Sequence, residues 1–254
     1  MPILRELLDL VENGGSAVLA TIIETDRSVP RHAGTKMLIL PDSTTSGTIG
    51  GGELEARVIS EALEALGEEA PRTMEYDLVD PSSGDPGVCG GTLKLYLEPY
   101  MPTATVYVIG CGHIGKAVVD LAHWLGYRVV ATDDRPELAS AEALPHADSV
   151  IAGSIVDALE REPITDQTWV VVVTRNAAVD VEILPHLVKT PARYIGVMGS
   201  KRRWGITVGK LGERGVTETM LDGVVSPIGL EINAETPQEI AMSILGEVTR
   251  ERRR

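Results

Sequence analysis

The sequence predicts an α/β protein in which a small N-terminal α+β domain is followed by a Rossmann-like domain with a doubly wound parallel sheet. The chain has 254 residues, which is enough for one or two domains with a sizeable core. The first hundred residues alternate short periodic segments with long turn-rich stretches, whereas the later residues alternate apolar strands with helices. Because Pro99 and Pro102 interrupt the chain between these halves, we expect domains over residues 1–100 and 103–254.

The charge of the chain excludes several classes of partner. The formal net charge is −14, and the first 102 residues contain 17 acidic against 7 basic side chains. So acidic a surface repels phosphate backbones and anionic lipids, and we expect neither nucleic acid nor membrane as a partner. No apolar run approaches the roughly 20 residues that cross a bilayer, and the N-terminus lacks the pattern of a signal peptide, which predicts a cytoplasmic protein. Cytosolic thiols stay reduced, so no disulfide is expected between Cys89 and Cys111.

The N-terminal domain is predicted to contain two helices and four strands. Leu4 and Leu8 share one face of the first helix, which ends at the Asn-Gly-Gly sequence of residues 13–15. Leu54 and Val58 begin the buried stripe of the second helix. The helices are predicted over 4–11 and 53–66, and the strands over 17–23, 35–40, 73–78 and 92–97.

The second half is predicted to alternate strands with helices. Short and mostly β-branched strands are predicted over 106–109, 128–132, 149–152, 169–174 and 194–197, with helical segments between them. Strands that are apolar throughout predict a parallel sheet covered on both faces. The last helix begins at a capping box of Thr236 and Glu239 and extends to about Val248.

A glycine-rich turn, G-x-G-x-x-G, follows the first of these strands and opens a helix. Gly110 permits the tight turn, Gly112 allows a phosphate to approach the backbone, and Gly115 lets helix and strand pack closely. Asp133 lies 18 residues further on, where a carboxylate would bind ribose hydroxyls and repel a 2′-phosphate. The pattern predicts NAD or another nucleotide in this domain, with His113 at the mouth of the site.

An NAD-dependent oxidoreductase is the alternative function that this turn suggests. Such an enzyme needs a proton donor or acceptor near the nicotinamide, usually at a later strand end. Residues 173–180 offer only Asp180 for that purpose, and the five histidines lack the spacing of metal ligands. The alternative therefore stays open without a clear catalytic residue.

Three loops of the N-terminal half contain more polar chemistry than a connection requires. Arg31 and Lys36 concentrate positive charge within an acidic domain, which indicates a specific anion. The glycines of residues 50–52 open a helix with bare backbone amides, which predicts either an anion cradle or a tight turn that caps the helix. Cys89 presents a thiol beside Gly90, as a ligand or as an incidental loop residue.

Together these segments resemble the XdhC/CoxI family, the accessory proteins of xanthine dehydrogenase and related molybdenum hydroxylases. The resemblance spans nearly the whole chain in order, which makes it far more specific than any one segment. The residues that support it are 28–31, 34–37, 47–55 and 89–91 in the first half, and 108–115, 133–137, 194–201, 226–230 and 234–241 in the second.

The resemblance implies a chaperone more than an enzyme. Members bind molybdenum cofactor (molybdopterin), support its sulfuration by a cysteine desulfurase and insert it into the apo-hydroxylase. It implies that the pterin phosphate meets backbone amides and basic side chains, and that Cys89 contacts the metal. The residues expected at the cofactor are Arg31, Lys36, Gly50, Gly51, Gly52, Glu53, Cys89 and Gly90. A homodimer and a purely scaffolding role are further alternatives.

The sequence departs from the family pattern at two places. Some members have a cysteine after the glycine run, where this chain has Glu53. Members often contain Thr-Arg-Gly-His at the late strand end, whereas Arg175 is followed here by Asn176 and Ala177. A second cofactor thiol and a role for that histidine are therefore not expected.

Overall fold

The computed structural model describes residues 2–78 and 91–253. They form two compact units that divide between Thr103 and Ala104. The predicted fold class is confirmed, with an antiparallel sheet in the first unit and a parallel sheet in the second. Within these residues no helix combines the length and apolar character that a membrane span requires.

The first unit is a five-stranded antiparallel sheet with a helix on each face. Its elements are α1 (Pro2–Glu12), β1 (Ala17–Asp26), β2 (Lys36–Ile39), β3 (Thr45–Gly47), α2 (Gly52–Gly67), β4 (Arg72–Asp77) and β5 (Thr92–Tyr100). The strand order is β3-β2-β1-β5-β4. Val18 and Ala20 of β1 face the α2 side, whereas Ala17 and Leu19 pack with Leu7 of α1, as the alternation of a strand dictates.

The second unit is a six-stranded parallel sheet in the order β11-β10-β9-β6-β7-β8. Its elements are β6 (Thr105–Ile109), α3 (His113–Trp124), β7 (Arg128–Asp133), β8 (Ser149–Ala152), α4 (Ile155–Arg161), β9 (Thr168–Val172), α5 (Ala177–Leu187), β10 (Tyr194–Val197), α6 (Lys201–Gly212), α7 (Glu218–Leu221), β11 (Val224–Val225) and α8 (Pro237–Arg252). The strand order reverses beside β6, which creates the crevice where doubly wound sheets bind ligands.

Both faces of this sheet are covered, as continuous apolar strands predict. Val106 and Val108 of β6 pack in a cluster with α3 and α8. Tyr107 and Ile109 point the other way and join a cluster with α4, α5 and α6. The central strand is therefore buried on both sides.

Two local elements differ from the sequence expectation. β3 is absent from the predicted strands, since its three residues include no apolar side chain, and it forms only an edge strand beside β2. The connection between β7 and β8, residues 134–148, contains turns where a helix was expected. Pro136 and Pro145 interrupt this connection, and buried Leu144 packs it onto the sheet.

Candidate functional site

The polar loops of the first unit lie next to one another. A Cβ built on Gly50 would lie 2.9 Å from Cγ of Pro30, so the glycine run packs against the loop between β1 and β2. Gly91 lies equally close to that loop, because its Cβ would meet the carbonyl oxygen of Ser28 and stand 2.8 Å from Cγ1 of Val29. The structure thus brings together the glycine run, the loop containing Arg31 and the start of β5. Cys89 and Gly90 lie outside the described residues.

The glycine run forms an anion-binding turn that already holds a carboxylate. Residues 50–52 all have positive φ angles, between +65° and +149°. One oxygen of Glu55, Oε1, accepts hydrogen bonds from the backbone amides of residues 49–51 at 2.9 to 3.3 Å. The Thr48 hydroxyl donates to the same oxygen at 2.5 Å. The amides of the glycine run are therefore occupied by an anion, and that anion is a side chain of the same chain.

The electrostatics of Glu55 agree with this geometry. Burial would raise the pKa of its carboxyl group, but the hydrogen bonds from Thr48 and from the amides outweigh burial and keep the pKa below its usual value. Glu55 is three residues beyond Gly52, in the first turn of α2. Sequence reasoning missed its role, although an acid in that turn is a recognisable helix-start signal.

The remaining predicted site residues of this unit differ in exposure and in the contacts that their side chains already make. Arg31 is exposed, and no carboxylate pairs with it in the part of the chain that the structure describes. Lys36 lies at the start of β2, where its Nζ donates to Thr21 Oγ1 of β1 at 2.9 Å. Glu53 is exposed in the first turn of α2. Of these side chains, Arg31 is thus the cation that has no polar contact among the described residues.

In the second unit, two of the three turn glycines are required by backbone packing. A Cβ on Gly110 would lie 2.7 Å from the carbonyl oxygen of Val173, and a Cβ on Gly115 would overlap the carbonyl oxygen of Gly110. Nothing lies within 4 Å of a Cβ on Gly112, which precedes α3. Gly112 therefore marks the open side of the turn. His113 follows it as the exposed first residue of α3.

Cys111, between the turn glycines, is a buried thiol in the core beneath α3. Burial is the main reason why its pKa rises to about 12, and the charge of Asp133 adds to the effect. A thiol in this state is neutral near pH 7 and a poor nucleophile. Its role is structural.

Asp133 is engaged inside the protein. Only 5% of the residue is exposed. Its carboxylate accepts a hydrogen bond from the Cys111 amide at 2.7 Å, and it accepts from the amide, Nε and Nη2 of Arg135 at 2.8 to 3.0 Å. The carboxylate predicted to bind ribose hydroxyls thus fixes the glycine-rich turn and is charge-compensated by Arg135. The spacing Asp-x-Arg in the sequence could have predicted this ion pair.

A second carboxylate–guanidinium pair lies beside the first. Arg175, after β9, donates from both terminal nitrogens to Asp134, at 2.6 and 2.7 Å. The hydrogen bonds from Arg175 are the main cause that lowers the pKa of Asp134 to about 2. Both side chains are partly exposed, so the pair can rearrange at low cost.

Asp180, the candidate proton acceptor of the oxidoreductase alternative, is bound to Arg203. The residue is 1% exposed, and Arg203 donates to its two oxygens at 2.7 to 3.0 Å. Thr174 Oγ1 also donates to this carboxylate, and Arg203 donates to the Thr174 carbonyl. The cluster ties the end of β9 to α6. Because Asp180 is charge-compensated and enclosed, nothing in this geometry favours it as a general base.

A cavity of about 340 Å³ opens at the carboxyl ends of the parallel strands. It is lined by the ends of β6, β7, β8 and β9 and by α4 and α5. Thr132, at the penultimate position of β7, lines it and has a buried hydroxyl without a hydrogen-bond partner among the described residues. Sequence reasoning placed a nucleotide near this edge but did not identify Thr132, because a buried strand residue has no local signal of a free hydroxyl.

Known proteins match both halves of the chain. The family model described as the XdhC Rossmann domain matches residues 106–248, and the model described as the XdhC and CoxI family matches residues 10–77. A relative in Escherichia coli (strain K12), uncharacterized protein YqeB, is 33% identical; the match covers 98% of this chain and 46% of YqeB, so the chain spans about half of that relative.

Two further matches extend over most of both partners. The molybdenum cofactor insertion chaperone PaoD of Escherichia coli (strain K12) is 23% identical, over 97% of this chain and 86% of PaoD. A crystal structure described as a xanthine dehydrogenase from Bacillus halodurans is similar with a TM-score of 0.54 and 26% identity, over 98% of this chain and 95% of that one.

Proposed function

Because the chain belongs to the XdhC/CoxI family, we propose that it binds molybdenum cofactor as cargo and inserts it into a molybdenum hydroxylase of the xanthine dehydrogenase type. The name of PaoD, a molybdenum cofactor insertion chaperone, supports the cargo. The similar crystal structure from Bacillus halodurans, which is described as a xanthine dehydrogenase, supports the class of enzyme that receives the cofactor. The proposed role is that of a chaperone, and it needs no catalytic residue in this chain.

The observation that supports the cargo site is the anion-binding turn at the start of α2. Molybdopterin has a phosphate group, and the amides of residues 49–51 together with Thr48 already hold one carboxylate oxygen of Glu55. Gly51 and Gly52 leave open space beside this turn, and Arg31 is exposed nearby on the loop that packs against Gly50. We propose that the cofactor phosphate binds here, between the amides and the Arg31 guanidinium, in place of Glu55 or next to it.

We further propose that Cys89 contacts the molybdenum centre. A thiolate is a suitable ligand for this soft metal site, and Cys89 is followed in the sequence by two glycines, residues 90 and 91. The thiol would hold the cofactor while a cysteine desulfurase supplies the sulfur that replaces an oxo ligand. Desulfurase and apo-hydroxylase are thus the proposed partners, and the cytoplasm, where thiols stay reduced, is the proposed compartment.

Anaerobic titration of the full chain with molybdopterin cofactor tests the proposal. The chain should bind one equivalent, and Arg31→Ala should weaken binding about tenfold because a charge-assisted hydrogen bond to phosphate is lost. Cys89→Ser should retain the phosphate contact but lower the yield of active hydroxylase after transfer. Arg5→Ala is the matched control, since it removes the same charge from the exposed surface of α1. Absence of cofactor binding, or an Arg5→Ala effect as large as that of Arg31→Ala, would contradict this site.

A further inference from the structure

An exposed arginine of the first unit, Arg57, lies over the ring of Tyr76. Its Cζ is 5.8 Å from the ring centroid, which is within the range of a cation–π contact. Among the described residues the Arg57 guanidinium makes no hydrogen bond and has no carboxylate within 4 Å. Arg57 therefore keeps its N–H donors free for an acceptor outside this set of residues.

The arginines of the first unit differ in their partners. Arg72 pairs with three glutamates of α2, and Arg27 pairs with the neighbouring aspartate. Arg5 has no carboxylate among the described residues, but it belongs to α1, which packs on the other face of the sheet from α2. Near the start of α2, Arg31 and Arg57 are thus the arginines without a carboxylate in the described part of the unit. Unpaired guanidinium groups in so acidic a unit indicate a ligand with acceptor oxygens.

The sheet places Tyr76 at the same end as the proposed cargo site. Tyr76 of β4 pairs with Leu93 of β5, and Leu93 pairs in turn with Thr25 of β1. β1 ends one residue later and leads into the loop that contains Arg31. Because β5 lies between β1 and β4, this loop and the contact between Arg57 and Tyr76 flank the start of β5 from its two sides.

Arg57 is displaced from the glycine run along the axis of α2. It follows Gly52, the first residue of α2, by five residues, which corresponds to about 7.5 Å of helix. Side chains of a helix tilt towards its N-terminus, so Arg57 leaves the helix in the direction of the glycine run. A cargo whose phosphate binds at the glycine run would therefore meet Arg57 with a different group.

Tyr76 supplies a hydroxyl that the described residues do not use. The residue is 3% exposed, and its hydroxyl oxygen has no hydrogen-bond partner in that part of the chain. A buried hydroxyl without a partner is costly to the folded state, and such groups are rare. Since the described residues hold Arg57 only through the ring, its side chain can shift at little cost when a ligand approaches this hydroxyl. The free hydroxyl and the free guanidinium together fit a ligand edge that has both acceptors and donors.

We propose that Arg57 and Tyr76 bind the polar edge of the pterin ring of the cargo. This edge has a carbonyl oxygen that accepts from the Arg57 guanidinium, beside N–H groups that donate to the Tyr76 hydroxyl. The inference rests on the proposed function, because molybdenum cofactor is the cargo that contains a pterin. It divides the cargo between two arginines, with the phosphate at Arg31 and the pterin at Arg57.

Two fragments of the cofactor test this division with the full chain. The fluorescence of 6-hydroxymethylpterin, which has neither phosphate nor metal, reports binding of the pterin alone. Arg57→Ala should weaken this binding about tenfold and Tyr76→Phe about threefold, whereas Arg31→Ala and the surface control Arg5→Ala should stay within about twofold. Calorimetric titration with inorganic phosphate should give the reverse, with a loss in Arg31→Ala and no loss in Arg57→Ala. Without ligand, Tyr76→Phe should melt no lower than the wild type, because the removed hydroxyl had no partner.

Anaerobic titration with intact molybdopterin cofactor separates this inference from the proposed function. The wild type should bind it, and Arg57→Ala should bind it about tenfold more weakly. If the wild type binds the cofactor and Arg57→Ala binds it equally tightly, the inference is overturned and the proposed function stands. The inference also fails if 6-hydroxymethylpterin does not bind at millimolar concentration, or if Arg31→Ala weakens its binding as much as Arg57→Ala does. A wild type that does not bind the cofactor would overturn both.

Discussion

Both units have glycines at the start of a helix, but these glycines meet different physical requirements. In the second unit, Gly110 and Gly115 are needed because other backbone atoms occupy the space of a Cβ. In the first unit, Gly51 and Gly52 have open space around them and are needed for their positive φ angles, +83° and +65°. Close packing thus requires Gly110 and Gly115, of which Gly110 also has a positive φ of +106°, whereas backbone conformation alone requires Gly51 and Gly52.

The carboxylates that bind these two turns differ in burial and in charge compensation. Asp133 is buried, and Arg135 compensates its charge. Glu55 is partly exposed and, among the described residues, accepts hydrogen bonds from backbone amides and the Thr48 hydroxyl without a cationic side chain. We infer that the turn of the second unit is a fixed element, whereas the turn of the first unit exchanges its anion readily. Substitutions at the two turns test this difference.

The largest effect is expected at Gly115. In Gly115→Ala the new methyl group would overlap the carbonyl oxygen of Gly110. The backbone of both residues is closely packed, so neither group can move aside easily. The overlap is removed only if α3 moves away from β6, so we expect a loss of about 4 kcal/mol in the free energy of unfolding. Urea denaturation of the full chain measures this loss. Gly112→Ala is the control, because its methyl group meets no atom within 4 Å and its φ of −69° suits alanine. Equal stability of the two variants would contradict the packing argument.

A smaller effect is expected at Asp133. Asp133→Ala leaves the Cys111 amide and the Arg135 guanidinium without their acceptor, which should cost about 2 kcal/mol because Arg135 can still reach solvent. Asp134→Ala removes the neighbouring carboxylate from an exposed pair with Arg175 and should cost less than about 1 kcal/mol. Thermal unfolding of the two variants side by side measures the difference. If Asp134→Ala proved the more damaging, Asp133 would not be the residue that fixes the turn.

Much of the second unit could be predicted because its strands are apolar throughout. β8 and β10 have the predicted bounds, and in β10 all four residues are buried, as a continuous run of apolar residues predicts. The edge strand β3, Thr45–Gly47, has no such run and was missed. The helix expected between β7 and β8 was wrong because turns bounded by Pro136 and Pro145 replace it.

The candidate sites were predictable only in part. A glycine run shows that backbone amides are available, but it does not show which carboxylate reaches them, and Glu55 was therefore missed. Arg135 is two residues from Asp133 and could have been found from that spacing. Arg203 is 29 residues from Thr174, and only the packing of α6 beside the end of β9 brings them together.

The smallest expected effect is the change that Glu55 causes in the pH dependence of the free energy of unfolding. It is also the most direct test of the difference between the two turns. Hydrogen bonds keep the pKa of Glu55 in the folded state below its usual value of 4.5, so the folded chain binds fewer protons than the unfolded chain near that pH. The stabilisation by Glu55 is thus complete above about pH 5 and is lost as the pH falls through the folded-state pKa. Because the side chain is partly exposed, we expect the loss to stay below about 1 kcal/mol.

Urea midpoints at pH 7 and pH 3.5 measure this loss by difference. Glu55→Gln should lose less stability than the wild type between these two pH values, because glutamine does not titrate. Glu53→Gln, which makes the same change on an exposed residue of the same helical turn, should follow the wild type. Both variants correct for the other carboxylates that take up protons in this range. If wild type and Glu55→Gln declined in parallel, the Glu55 carboxylate would not be bound as an anion in the turn, and the contrast with the second unit would fail.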